Sequence, residues 1–332
     1  MKNLSPEELR TMSAETLVAG IASGEHSILR SIGCKKLLGE TRFGRLGAKL
    51  IVRLSKFKAH SKSPDKLRPA LNKILNSIAP YESKEKIDES IETGLVIAFN
   101  HPSLGEILRL MEYCFDVFPQ KRMLFPVTIA WFEALAPNFD YLDSIGIRIT
   151  PTITPKAISE ILEVNPDAKD LADELATKLN TYYQTQSRAF VANKDVLLVA
   201  PSATRQFYVF QNTDQIVGNS DIKPETLSLI TTSLKKDKSL DYAILPITVI
   251  PPEMCSAGLN LFDTYRLEPC GLFSAESAKT LSRTKIGQAG VRELDLRFRQ
   301  AIADKMMRLG RSEYITEPEI KIDVRDPWTD YD

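Results

Sequence analysis

From about residue 93 the chain repeats one pattern: a short Val/Ile/Leu-rich run, a helical periodicity, then another run. The runs "GLVIAF", "RMLFPVT", "SIGIRIT", "DVLLVAP", "YAILPITVI" and "YRLEPCGLF" are strand candidates. Helical patterns lie between most of them, including Asp167 to Arg188, with a longer one from Val291 to Leu309. Continuous apolar runs suit strands buried on both faces, as in parallel sheets. Such strands separated by helices predict an α/β fold: a mixed, mostly parallel sheet flanked by helices. Ahead of it, residues 1–92 read as a small helical domain, so the expected domains are 1–92 and 93–332. The 332 residues leave room for about two domains of roughly 100–200 residues each.

The amino-terminal part carries its own signals. In "SPEE", Ser5 is an N-cap, Pro6 takes the first helical position, and Glu8 follows three residues after the cap. Residues 42–59 hold two stripes at three- and four-residue steps. One is Arg42, Arg45, Lys49, Arg53 and Lys56; the other is Phe43, Leu46, Leu50, Leu54 and Phe57. That is a basic amphipathic helix. From Ser27 to Lys62 there are ten Lys or Arg against one acid, Glu40. Three uses of this helix stay open: an anionic membrane surface, an acidic acyl carrier protein, or a bundle helix with a solvated basic edge.

The rest of the chain offers no such bias. It is 43% hydrophobic and 26% charged with zero formal net charge, so no nucleic-acid partner is expected. Cys34, Cys114, Cys255 and Cys270 are far apart and show no metal or redox spacing. They read as reduced, buried thiols of a cytosolic protein, with no metal site. "MKNLSPEELR" is too polar for a secretory signal, and no apolar run approaches the roughly 20 residues needed to span a bilayer. The expected location is cytoplasmic, with any membrane contact peripheral, at the inner face. A monomer is the default.

Ligands of open α/β sheets bind beyond the carboxyl ends of strands. Three stretches put polar groups there: Asn100-His101 after "LVIAF", "PSATRQ" (201–206) after "DVLLVA", and Arg148 within "GIRITP". If the strands are parallel, a histidine, a carboxylate (Glu106) and one or two arginines share one rim. Histidine can take a proton from an alcohol near neutral pH, and a carboxylate on its other ring nitrogen fixes the tautomer. Arginine offers a planar fork of donors suited to phosphate. Each also has a structural reading: a hydrogen-bonded histidine, a first-turn glutamate favoured by the helix dipole, and surface arginines. The apolar stretch from Met123 to Phe139 is either ordinary core or the lining of an acyl tunnel.

These stretches carry a family resemblance. "FNHPSLGE" resembles the N-H-x-x-x-x-D motif of the glycerolipid acyltransferases, which include glycerol-3-phosphate and lysophosphatidate acyltransferases. "VLLVAPSATRQ" resembles their second signature, F-P-E-G-T-R, and is nearer the A-P-S-G-G-R form of the plastid-type glycerol-3-phosphate enzymes. "YAILPITVIPPE" resembles a later block, and the likeness spans roughly residues 90–310. The resemblance implies His101 as general base and Glu106, standing where the family has aspartate, as its carboxylate partner. It implies that Arg205 holds the acceptor phosphate, with Pro201, Ser202 and Thr204 shaping the loop. Arg148 falls near an arginine block between the two signatures. The implied reaction moves a fatty acyl group from an acyl thioester (acyl-ACP or acyl-CoA) to a phosphorylated glycerol-type hydroxyl, glycerol 3-phosphate favoured. It needs no cofactor, metal or acyl-enzyme. The alternative is a lipid- or membrane-binding protein that keeps the fold and has lost catalysis. It draws on Glu106 in place of aspartate and on Ser202-Ala203 in place of Glu-Gly. A hydrolase using Ser103 or Ser202 fits least, since neither lies in a G-x-S-x-G turn.

Overall fold

The computed structural model describes residues 2–38, 68, 69, 71, 73, 91–99, 105–200, 239–250 and 265–272. The fold is α/β: a mixed, mostly parallel sheet flanked by helices and preceded by amino-terminal helices. The chain forms two compact units, Met1–Ile74 with Pro119–Leu198, and Leu75–Phe118 with Val199–Asp332. The residues leading up to the expected boundary at 92, 74–90, lie outside the described residues, as do the basic helix 42–59 and the helix expected over 291–309.

The first unit opens with α1 (Pro6–Thr11), α2 (Ala14–Ala22) and α3 (Ile28–Ser31). The capping box legible in "SPEE" forms: the Ser5 hydroxyl accepts from the Glu8 N–H at 3.2 Å, and the Glu8 carboxylate accepts from the Ser5 N–H at 2.7 Å. A parallel pair comes next, β2 (Met123–Thr128) and β3 (Ile147–Thr152), joined through α5 (Ile129–Leu135) and α6 (Phe139–Ser144); α4 belongs to the other unit, below. Parallel neighbours require a crossover of this kind. β3 begins later than "SIGIRIT" suggests. Gly146 sits at φ +82°, where a side chain is strained, and it ends α6 by turning the chain into the strand. Next come α7 (Pro155–Val164), capped by Thr154, and the 24-residue α8 (Lys169–Ala192). α8 stops in a left-handed turn at Lys194, φ 63°. There the Asp195 N–H reaches back to the Phe190 carbonyl and the Lys194 N–H to that of Val191, each at 3.0 Å. That turn delivers β4 (Val196–Val199), which pairs parallel with β2.

The core of this unit draws on both ends of its sequence. Leu9, Leu17, Ile21, Ile28 and Leu29 are buried in one cluster with Ile129, Phe132, Ala172, Leu175 and Leu179. Ile129, Phe132 and Ala136 come from the stretch weighed as a tunnel lining, and here they are core. Three polar ties lock this packing. Glu133 on α5 is buried and accepts from the Ser27 hydroxyl and from the Leu29 N–H at 3.0 Å, so it caps the start of α3. Asn180 brackets Ile153 just past β3, accepting from its N–H at 3.2 Å and donating to its carbonyl at 3.1 Å. Lys178 donates to the carbonyls of Leu9, Arg10 and Met12 at 2.9, 2.9 and 2.7 Å, satisfying acceptors at the end of α1.

The second unit contains β1 (Gly94–Phe99), α4 (Gly105–Val117), β5 (Tyr242–Ile250) and β6 (Arg266–Pro269). β1 lies parallel to β5, Gly94 opposite Tyr242 through Phe99 opposite Ile247. β6 runs antiparallel to β5, the exception in an otherwise parallel arrangement. Every residue of β1 is buried, as its unbroken apolar run requires. Cys34 and Cys114 are buried thiols, whereas Cys270 is only half-buried because it comes after the last residue of β6, where the chain leaves the strand. Cys255 lies outside the described residues.

Two outcomes are expected. Lys178→Met removes charge-assisted donors from three carbonyls and should cost about 1.5–3 kcal/mol, read as a lower urea midpoint. Burial pushes the Glu133 carboxyl above its ordinary value, against the pull of hydrogen bonds from Ser27, Leu29 and Ile28 and of the Arg30 charge. The folded state therefore holds this proton more tightly than the unfolded chain. The associated stability is complete below the unfolded glutamate pKa, about 4.3, and is lost as pH rises through the raised folded value. Glu133→Gln should thus gain on the wild type as pH rises above about 4.3, measured as the difference in unfolding free energy. A difference that does not change with pH contradicts the assignment.

Candidate active site

The second unit holds the frame expected around the histidine. β1 ends at Phe99, and α4 starts at Gly105. His101, the second residue after the strand, lies outside the described residues, as do Pro201, Ser202, Thr204 and Arg205. Their points of departure are described. Phe99 is buried at the end of β1, and Val199, buried at the end of β4, is where the chain enters the same unit as β1.

Glu106 is described fully. It occupies the first turn of α4, where the helix dipole favours an anion, and its relative exposure is 0%. The first-turn position is as its structural reading has it, and the side chain there is enclosed, not solvated. Carboxylates are almost never fully buried without compensation, because removing the charge from water costs several kcal/mol.

Two further charged residues on the same helix escape a reading by motif. Arg109 and Glu112 are both at 0% exposure, with Arg109 Nη1 3.6 Å from Glu112 Oε2. A signal for them exists. In "ILRLMEYCF" the two charges stand among seven apolar residues, and a helix apolar on all sides is a buried helix. Residues 109–115 are indeed all buried. Tyr113 packs here too, edge-on to Phe118 with ring centroids 6.3 Å apart.

Arg148 lies on β3. It is the second residue of β3, at the strand's amino end, not at the carboxyl end where a rim ligand belongs. It belongs to the first unit, whereas Glu106 belongs to the second. Its guanidinium is 44% exposed and holds Asp143 at 2.9 Å, and it lies 5.9 Å from the centre of the Phe190 ring. The alternation of β3 turns it outward while Ile147 turns in. In this setting Arg148 is the surface arginine of its structural reading. The local partner that holds it, Asp143, is five residues away in sequence.

Among the described residues no cluster of three or more His, Cys, Asp or Glu could hold a metal ion, and no helix is long and apolar enough to cross a membrane.

No family model matches the chain, and no curated protein matches it. Among solved structures, the 1-acyl-sn-glycerophosphate (LPA) acyltransferase PlsC from Thermotoga maritima is similar to this chain with a TM-score of 0.43. The two are 10% identical, over 81% of this chain and 97% of that one.

Arg148→Ala should cost no more than about 1 kcal/mol, as expected for an exposed ion pair. The urea midpoint would report it, with the slope unchanged. A loss of several kcal/mol would mean that the guanidinium is held by more than Asp143.

Proposed function

We infer that the protein is an O-acyltransferase, moving a fatty acyl group from an acyl thioester to the hydroxyl of a phosphorylated glycerol-type acceptor, with glycerol 3-phosphate favoured. The observation that carries this reading is the fully buried Glu106 in the first turn of the helix that comes after a fully buried strand, with a histidine in the connection. The two signatures, "FNHPSLGE" and "VLLVAPSATRQ", support it by their order and content.

In this reading His101 takes the acceptor's hydroxyl proton as the oxygen attacks the thioester carbonyl. Glu106 accepts from the other ring nitrogen and stabilises the imidazolium. The tetrahedral adduct collapses, the carbon–sulfur bond breaks, and the leaving thiolate takes the proton from His101. Arg205 holds the acceptor phosphate, with Ser202 and Thr204 in the same loop. The donor is a thioester of acyl carrier protein or of coenzyme A. The site of action is the cytoplasm, at the inner face of the membrane, where the basic helix 42–59 meets anionic headgroups.

The test is to incubate purified protein with an acyl thioester and glycerol 3-phosphate, beside His101→Ala, following thiol release and acylated product together. Acceptor-dependent transfer should fall by about 10²–10⁴ in the variant. Absence of transfer to this alcohol and to a panel of lysophospholipids, with vesicle binding retained in both proteins, would overturn the reading in favour of a lipid-binding protein.

A further inference from the structure

Five cations of the first unit gather at the amino ends of β2, β3 and β4: Arg68, Lys121, Arg122, Arg148 and Lys194. Arg68 Nη1 donates to the Lys121 carbonyl at 3.0 Å, and Lys121 Nζ donates to the Lys194 carbonyl at 2.5 Å. Arg122 and Arg148 lie against the same ring, their guanidinium carbons 5.1 and 5.9 Å from the centre of Phe190. Gly146 stands between them: a Cβ added there would meet Arg122 Cγ at 3.5 Å and Arg68 Nη1 at 3.7 Å. Two carboxylates, Asp195 and Asp143, pair with the group. Against these two, the five cations leave an excess of three positive charges.

The pairing leaves donors over. Asp195 takes Nε and Nη2 of Arg122, at 2.9 and 2.7 Å, and Asp143 takes Nε and Nη2 of Arg148, at 3.1 and 2.9 Å. A guanidinium has five N–H donors, so Nη1 of each arginine keeps both of its own for another acceptor. The two side chains are 47% and 44% exposed, which puts those donors within reach of a ligand. Asp195 is itself held by the Arg122 N–H at 2.9 Å and cannot swing across to cover them. Burial holds the Lys121 ammonium below its ordinary pKa; Asp195 opposes this and Lys194 adds to it. Cations this close repel one another, and exposed ion pairs offset little of that.

A planar fork suits the oxygens of a phosphate, and a dianion carries charge enough for more than one fork. The place is also distinctive. Open α/β sheets bind their substrates beyond the carboxyl ends of strands, and this cluster lies at the amino ends. We propose that the amino edge of β2, β3 and β4 is an anion site for a phosphomonoester, held by Nη1 of Arg122 and of Arg148, with Arg68 and Lys194 adding charge. The site does not depend on the acyl-transfer reading. Its ligand is either free in solution or the headgroup of a phosphatidate-type lipid.

The test uses the full chain and the backbone amide resonances of Gly146 and Lys194, which report on this edge alone. Inorganic phosphate, titrated against chloride at constant ionic strength, should shift both resonances to saturation. Arg148→Ala loses only an exposed ion pair and should fold, and it should weaken the binding by about 10-fold or more. Arg122→Lys keeps a charge beside buried Asp195 but loses the fork, and it should weaken binding as well. The second arm is sedimentation with phosphatidylcholine vesicles, with and without phosphatidate. Vesicle binding that requires phosphatidate and falls in Arg148→Ala assigns the lipid headgroup. Saturation by inorganic phosphate, with vesicle binding equal in wild type and variant, assigns a soluble phosphomonoester. Shifts that chloride reproduces, or that both variants leave unchanged, together with vesicle binding equal in all three proteins, overturn the proposal.

Discussion

A strand buried on both faces leaves a polar side chain nowhere to go but past its ends. β1 is such a strand: all six of its residues are buried, and its backbone is paired along its whole length with β5. An amide or hydroxyl placed inside it without a partner would cost on the order of 1–3 kcal/mol. The apolar composition of "GLVIAF" is therefore enforced, and so is the abrupt change to Asn-His at residue 100. β4 obeys the same rule, with four buried residues before Ala200 and Pro201.

The helix after β1 departs from that rule. Much of α4 is as deeply enclosed as the strand, yet it carries three buried charges. Apolar side chains of similar volume would pack at least as well there, since a buried ion pair contributes little net stability. Stability therefore does not explain why the charges are present.

The strands were legible because apolar residues leave an unmistakable run, and five of the six observed strands, β1, β2, β4, β5 and β6, begin within one residue of it. β3 starts later than its apolar run because the leading Gly146 supplies a turn, not a strand residue. Of the candidate site, only Glu106 and Arg148 lie among the described residues. An arginine within an apolar run has the same spelling at either end of a strand; the observed start of β3, at Ile147, puts Arg148 at the amino end. Glu133 and Lys178 were missed for another reason. Each is a charge whose role depends on what encloses it, and no local pattern announces a partner more than a hundred residues away, as Ser27 is from Glu133.

The ammonium of Lys178 holds carbonyls 166–169 residues earlier in the chain. A six-residue helix such as α1 is too short to persist by itself. During synthesis, then, α1 leaves the ribosome well before α8 and acquires its final structure only after it. It must wait, with Leu9 and Leu17 uncovered, until α8 has emerged far enough to receive it. The order of translation and the order of folding run opposite ways across this unit. Until then α1 is in need of protection.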